Sequence, residues 1–116
     1  MNKPRKTPHI GIDLVEVSRC KSLLRKSNEH LLEKFFTKKE IEYCRHFKDA
    51  ATHLAGTFAA KEAASKALGA VQFPFIELEV RRRKDGMPQI WRKGKLIPMS
   101  VSITHTRAIA AAVAIR

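Results

Sequence analysis

Apolar and polar positions change period several times along the chain, and each change marks an element. His9–Leu14 alternates, with Ile10, Ile12 and Leu14 on one side and Gly11 and Asp13 on the other, which predicts a strand. From Glu16 the period lengthens. Val17, Cys20, Leu24 and, one turn aside, Leu23 suit one helical face, with Arg19, Lys21, Arg25 and Lys26 mostly outside it, until Ser27-Asn28 ends the helix. Leu31, Leu32, Phe35 and Phe36 form a second short apolar stretch. Thr37-Lys38-Lys39-Glu40 fits a capping box and opens a helix over roughly 38–47. Asp49 is placed to cap the longest helix, about 50–68, whose alanines favour helix and which Gly69 suits as a left-handed terminator.

Beyond Gly69 the pattern turns strand-like. Phe75–Arg82 reads as a strand, Asp85-Gly86 as a hairpin turn, Gln89–Arg92 as the returning strand and Lys93-Gly94 as a second turn. Val101–Thr106 and Ala110–Ile115 follow as two more strands, although the alanines of 108–114 suit a helix by propensity. Strand, helices, then several strands predict an α+β fold: one long helix packed on an antiparallel sheet in a single compact domain over 9–116. Residues 1–8, with two prolines and three basic residues, read as a basic flexible tail.

Composition narrows the function. The chain has 116 residues, with 23 Lys and Arg against 11 Asp and Glu, a net charge of +12. Such a charge is useful chiefly toward an anionic partner: a nucleic acid, a phosphate-rich ligand, an acidic protein or a membrane surface. The longest uncharged apolar run, Ala108–Ile115, is far too short to span a bilayer. The basic N-terminus has no hydrophobic stretch behind it, and Cys20 and Cys44 form neither a framework nor a CxxC pair. These features point to a soluble cytoplasmic protein with no membrane association.

Three places carry candidate chemistry. Asp13 stands near the end of the first strand, where it serves either as a turn or capping residue or as a carboxylate facing a cleft. Glu62 and Lys66 lie four apart in the long helix. They form either a surface ion pair worth about 0.2–0.5 kcal/mol or a carboxylate for a hard cation beside an ammonium for a phosphate on that cation. Ser102-Ile103-Thr104-His105-Thr106 puts three hydroxyls on one strand face, either a solvated edge or a pocket wall. There is no GxGxxG or Walker loop, no HExxH or paired Cys/His spacing, and no GxSxG elbow.

Taken together, Gly11-Ile12-Asp13 with Arg19, then Phe58-Ala59-Ala60-Lys61-Glu62-Ala63-Ala64-Ser65-Lys66-Ala67-Leu68-Gly69, then Val101–Thr106 with an alanine-rich end, resemble the holo-acyl-carrier-protein synthases. These are the short class of 4′-phosphopantetheinyl transferases. The order and spacing of three motifs carry the resemblance, which runs from about residue 9 to the C-terminus. It implies transfer of 4′-phosphopantetheine from coenzyme A to a serine of an acyl carrier protein, releasing adenosine 3′,5′-bisphosphate, and a place in lipid metabolism and fatty acid biosynthesis. Asp13 and Glu62 would hold Mg²⁺ against the coenzyme A diphosphate, and Lys66 would neutralise charge on that diphosphate as it leaves. Lys61, Lys66, Gly86, Pro88, His105 and Thr106 would contact coenzyme A. Arg19, Lys21, Arg25 and Lys26 would form the docking surface for the acidic carrier protein. Either a metal-bound water or a carboxylate would take the serine proton.

Longer members of the superfamily carry a second carboxylate two residues after the first aspartate. Val15 stands there in this chain, so the resemblance is to the short class, which implies a homotrimer with active sites between neighbouring subunits. Thr57 stands where the family usually has arginine, and Met87 where a lysine often precedes the proline. Two other readings compete. The run Arg81-Arg82-Arg83-Lys84 with Arg92, Lys93 and Lys95 suits a basic nucleic-acid-binding module, although aromatics are only 7% and leave few stacking platforms. A catalytically inactive relative, kept for binding, is the other.

Overall fold

The computed structural model describes residues 7–69 and 75–116; residues 1–6 of the expected tail lie outside them. The described chain runs β1 (Ile10–Glu16), α1 (Val17–Leu23), α2 (Glu29–Phe35), α3 (Lys38–Arg45), α4 (Ala50–Ala67), β2 (Leu78–Arg82), β3 (Pro88–Arg92), β4 (Lys95–Ile97), β5 (Ser100–His105) and β6 (Ile109–Ile115). Single 3₁₀ turns precede α2 and β2, at Lys26–Asn28 and Phe75–Glu77. The α+β expectation holds, with one long helix and antiparallel strands. The strands divide into two three-stranded sheets, ordered β1-β6-β5 and β2-β3-β4. No helix among the described residues is long and apolar enough to cross a membrane.

The helix starts form where the local sequence places them. Thr37 Oγ1 accepts from Glu40 N at 3.2 Å, and Glu40 Oε1 accepts from Thr37 N at 2.9 Å, a complete capping box. Asp49 accepts from the Thr52 amide and hydroxyl at the start of α4. Gly69 takes φ +83° after α4, where only glycine enters without strain. The first helix is shorter than its periodicity predicts. Arg25 is extended, at φ −66° and ψ 140°, so Arg25 and Lys26 follow α1 instead of riding on it. The strand expected from Phe75 likewise begins at Leu78, after a 3₁₀ turn.

Helix α4 is the centre of the molecule. Twelve of its eighteen residues are buried, because β1, β6 and β5 cover one side while α1, α3 and β2 cover others. Small side chains make that enclosure possible. Ala59, Ala60, Ala63, Ala64 and Ala67 of α4 and Ala110, Ala112 and Ala114 of β6 are all 0–3% exposed. The alanine-rich end is therefore a strand, its alternate alanines forming a thin floor under the helix. Gly11 goes further: a Cβ there would overlap the Ala63 carbonyl and lie 2.9 Å from Ala67 N. β1 thus turns Gly11, Asp13 and Val15 toward α4 and leaves Ile10, Ile12 and Leu14 outside.

Gly11→Ala is expected to push β1 away from α4 and destabilise the fold by about 1–3 kcal/mol, the usual cost of overpacking. Thermal unfolding followed by circular dichroism reads it as a drop of several degrees in Tm. An unchanged Tm would show that the close approach is not constrained.

Candidate active site

Along α4, Phe58, Glu62 and Lys66 recur every four residues and form one stripe. They are half-buried or exposed, although most of the helix is buried. β1 lies against this stripe. Lys66 Nζ donates to the Ile12 carbonyl at 2.9 Å and stands 3.6 Å from Asp13 Oδ1. The Glu62–Lys66 pair that the helical spacing allows is not the one formed. Glu62 sits one turn back, about 5.4 Å along the axis, and has no hydrogen-bond or ion-pair partner among the described residues.

These residues fit a hard divalent cation. Two carboxylates arrive from separate elements, one unpartnered and the other already beside a positive charge. No group of three or more His, Cys, Asp or Glu able to hold a metal occurs among the described residues. A cation here would therefore rely on the two carboxylates and on oxygens from substrate and water, the habit of Mg²⁺. Val15 is 6% exposed and part of the core.

Lys61 requires a correction. It is expected to contact coenzyme A, yet its side chain is completely buried. Its ammonium donates to Glu40 Oε1 at 2.9 Å and to the Phe35 carbonyl at 2.7 Å, and lies 4.7 Å from the centre of the Phe75 ring. Glu40 Oε2 also accepts from Val80 N at 2.7 Å. Burial pushes the Glu40 carboxyl up and the Lys61 ammonium down, and their mutual attraction opposes both shifts. Directly and through Glu40, Lys61 joins α2, α3, α4 and β2.

Gly86, Pro88 and His105, also expected at coenzyme A, gather at the opposite end of α4. Gly86 and Pro88, in the β2–β3 hairpin, line a recess of about 390 Å³ against β5. Arg82 and Ile103 continue it into a smaller recess of about 170 Å³ that also takes in His105, His53 and Tyr43. The His105 and His53 rings meet edge to face at 5.9 Å, and His53 stacks on Phe47 at 3.6 Å. Burial, followed by the charges of His105 and Arg82, pulls the His53 pKa below its ordinary value. Arg82 has an aromatic contact with Tyr43 at 5.1 Å and no carboxylate partner among the described residues. It supplies a cation on this side of the molecule, where Thr57 is buried, donating to the His53 carbonyl at 2.9 Å. From the sequence, Arg82 counts only as part of the basic run 81–84, and His53 is not singled out. The available signal was the alternation Leu78, Val80, Arg82, which places Arg82 on the inward face of β2.

Of the hydroxyl face of β5, Ser102 borders the hairpin recess and Thr104 does not. Ser102 and Thr104 are exposed on the side away from α4, while Val101 and Ile103 are the more buried positions. Thr106 lies just beyond the strand, where its hydroxyl accepts from Ala108 N and Ile109 N at 3.2 Å and closes the β5–β6 turn.

Arg19, Lys21, Arg25 and Lys26 are all exposed. Arg19 stands at a groove of about 500 Å³ whose walls include Val15, Leu23, Phe35 and Phe58, beside the carboxylate stripe. The basic hairpin is much less open to an anion than its sequence suggests. Arg81 pairs with Glu79 at 2.6 Å, Arg83 with Asp85 at 2.9 Å, and Arg92 and Lys93 with Glu77 at 3.0 and 3.5 Å.

Comparison with known proteins identifies the family. The family model for the 4′-phosphopantetheinyl transferase superfamily matches residues 9–114. The chain belongs to that superfamily. The holo-[acyl-carrier-protein] synthase of Caldanaerobacter subterraneus subsp. tengcongensis is 38% identical, covering 91% of each chain. That of Clostridium botulinum strain Eklund 17B is 41% identical, covering 91% of this chain and 94% of its own. Among solved structures, a Helicobacter pylori holo-[acyl-carrier-protein] synthase in complex with coenzyme A superposes with a TM-score of 0.77 at 30% identity, covering 90% of this chain and 96% of that one. The Bacillus anthracis enzyme, solved with CoA (3′,5′-ADP), gives 0.76 at 31% identity, covering 92% and 93%. The protein is thus a phosphopantetheinyl transferase, and the carboxylate stripe and the Arg82 cleft are described on that enzyme.

Lys61→Met in the transferase strands Glu40 as a buried, unpaired carboxylate, which costs about 3–5 kcal/mol. A large fall in Tm without any ligand is the expected result. Parent-like melting with weakened coenzyme A binding would instead return Lys61 to the ligand-contacting set.

Proposed function

We propose that the enzyme transfers 4′-phosphopantetheine from coenzyme A to a serine of an acidic acyl carrier protein in a Mg²⁺-dependent reaction, with adenosine 3′,5′-bisphosphate as the other product. The observation that carries this reading is the meeting of Asp13 and Lys66 beside an unpartnered Glu62. The serine oxygen forms a new bond to the phosphorus that bears the pantetheine arm. The bond from that phosphorus to the bridging diphosphate oxygen breaks, and the serine proton passes to a base. Asp13 and Glu62 would hold the cation, which would supply Lewis-acid polarisation of the diphosphate. Lys66 places a positive charge where negative charge grows on the leaving phosphate. Arg82, His105, Gly86 and Pro88 hold the nucleotide portion. Arg19, Lys21, Arg25 and Lys26 draw the acidic carrier to the groove beside the carboxylates, raising the association rate more than the final affinity. The two free, buried cysteines suit a reducing cytoplasm.

Asp13→Asn and Glu62→Gln are each expected to remove most transfer while leaving the melting curve near that of the parent. Transfer of label from coenzyme A to a carrier protein measures this. Near-parent turnover in either variant at ordinary Mg²⁺ overturns the assigned roles, and a parent enzyme with no transfer at all would favour an inactive relative.

The active unit is a homotrimer, with sites shared between subunits. Two features support this. Glu62 and His53 are nine residues apart on α4, half a revolution and about 13.5 Å along the axis. The two groups of ligand-contacting residues therefore face away from each other within one copy. In addition, β1 and β6 leave an apolar sheet face open: Ile10, Ile12 and Leu14 are 61–69% exposed, next to Ile109 and Ile115 at 42% and 44%. A contiguous apolar patch of this kind marks an interaction surface. Ile12→Glu, on that face, is expected to yield a folded monomer with little transfer. Sedimentation shows the mass, and a monomeric variant or parent with full transfer would refute a shared site.

A further inference from the structure

Lys66 already occupies the carboxylate site with positive charge. Its ammonium stands 3.6 Å from Asp13 Oδ1 and is anchored to the Ile12 carbonyl at 2.9 Å, while Glu62, the partner its helical spacing offers, goes without. Asp13 is 19% exposed, so its carboxylate is only partly served by water. Lys66 is 55% exposed, so its stem has room to swing away.

Resting on the metal reading given above, we propose that Lys66 is a built-in counter-ion of Asp13 that must be displaced when a divalent cation binds, and that it thereby couples cation binding to binding of a diphosphate. A cation on Asp13 brings two further positive charges within a few ångströms of the ammonium, well inside the ~8 Å Debye length. Lys66 then gives up both its contacts with β1. With Glu62 also taken up by the cation, a diphosphate held at the same place offers the freed ammonium a new anion. The cation alone thus binds at the expense of the Lys66 contacts, and the diphosphate restores them in another form. Because coupling between two ligands is reciprocal, each tightens the other. The side chain that completes the site with substrate present weakens cation binding in its absence. Removing it should therefore strengthen cation binding, opposite in sign to the loss of an ordinary site residue.

Mn²⁺ binding, read by electron paramagnetic resonance, tests this on the parent, Lys66→Met, Lys66→Gln and Glu62→Gln, each with and without coenzyme A. Both Lys66 variants are expected to bind Mn²⁺ alone about tenfold more tightly than the parent, within the usual range of coupling. Coenzyme A should tighten Mn²⁺ binding about as much in the parent and little in the Lys66 variants. Equal or weaker Mn²⁺ binding in the Lys66 variants, or the same coenzyme A effect in all, overturns the proposal. A parent whose Mn²⁺ binding ignores Glu62→Gln overturns the carboxylate site itself, a failure separate from that of Lys66.

Discussion

The close approach of α4 to the β1-β6-β5 sheet is the constraint on which the candidate active site rests. Alanines on the helix meet alanines of β6, and at Gly11 the strand has no side chain at all where the Ala63 carbonyl passes. A larger residue at any of these points would hold helix and sheet apart. Their closeness lets Lys66 reach a backbone carbonyl of β1 as well as the Asp13 carboxylate. Interiors transmit such strain because they are close-packed and compress little, so a change in the Ala/Gly floor would be felt at the carboxylates.

Rotation of α4 about its own axis is set separately, by the Lys61–Glu40 pair. Glu40 accepts from three elements: the Thr37 amide, the Lys61 ammonium and the Val80 amide. Its acceptors are thus satisfied without water, the condition under which a buried pair is tolerable. Consecutive residues on a helix point about 100° apart. With Lys61 tied inward, Glu62 is turned toward the stripe beside β1. Adjacent residues of one motif are therefore placed differently: Lys61 is tied into the core, and Glu62 lies on the stripe beside β1.

The large positive charge is likewise divided between structure and partner. Much of the β2–β3 hairpin's charge is matched by Glu77, Glu79 and Asp85. Arg19, Lys21, Arg25 and Lys26 stay exposed, Arg19 at the groove beside the carboxylate stripe, and Arg82 faces the cleft at the other end of α4. Net charge states how much field the protein has; which charges are left for an anion depends on where the carboxylates fold to.

What the sequence determined by itself was local. The Thr37 capping box, the Asp49 cap, the terminator Gly69 and the turns at Gly86 and Lys93-Gly94, with φ of +87°, +50° and +77°, involve residues only a few positions apart, so composition at those positions was enough. The order and spacing of three motifs also carried the family, together with Asp13, Glu62 and Lys66. Tertiary structure decided the rest. Alternation at 9–14 identified a strand but not which side meets the helix, and the glycine and aspartate side faces inward because only Gly11 fits beneath Ala63. Propensity left 108–114 between helix and strand, and pairing with β1 and β5 resolved it. Lys61 and Lys66 look alike in the sequence; one is buried and the other exposed because helix faces differ in what lies across from them. Arg82 and His53 come together across 29 residues, and no local pattern records a contact whose partner is supplied only when the sheet closes over the helix.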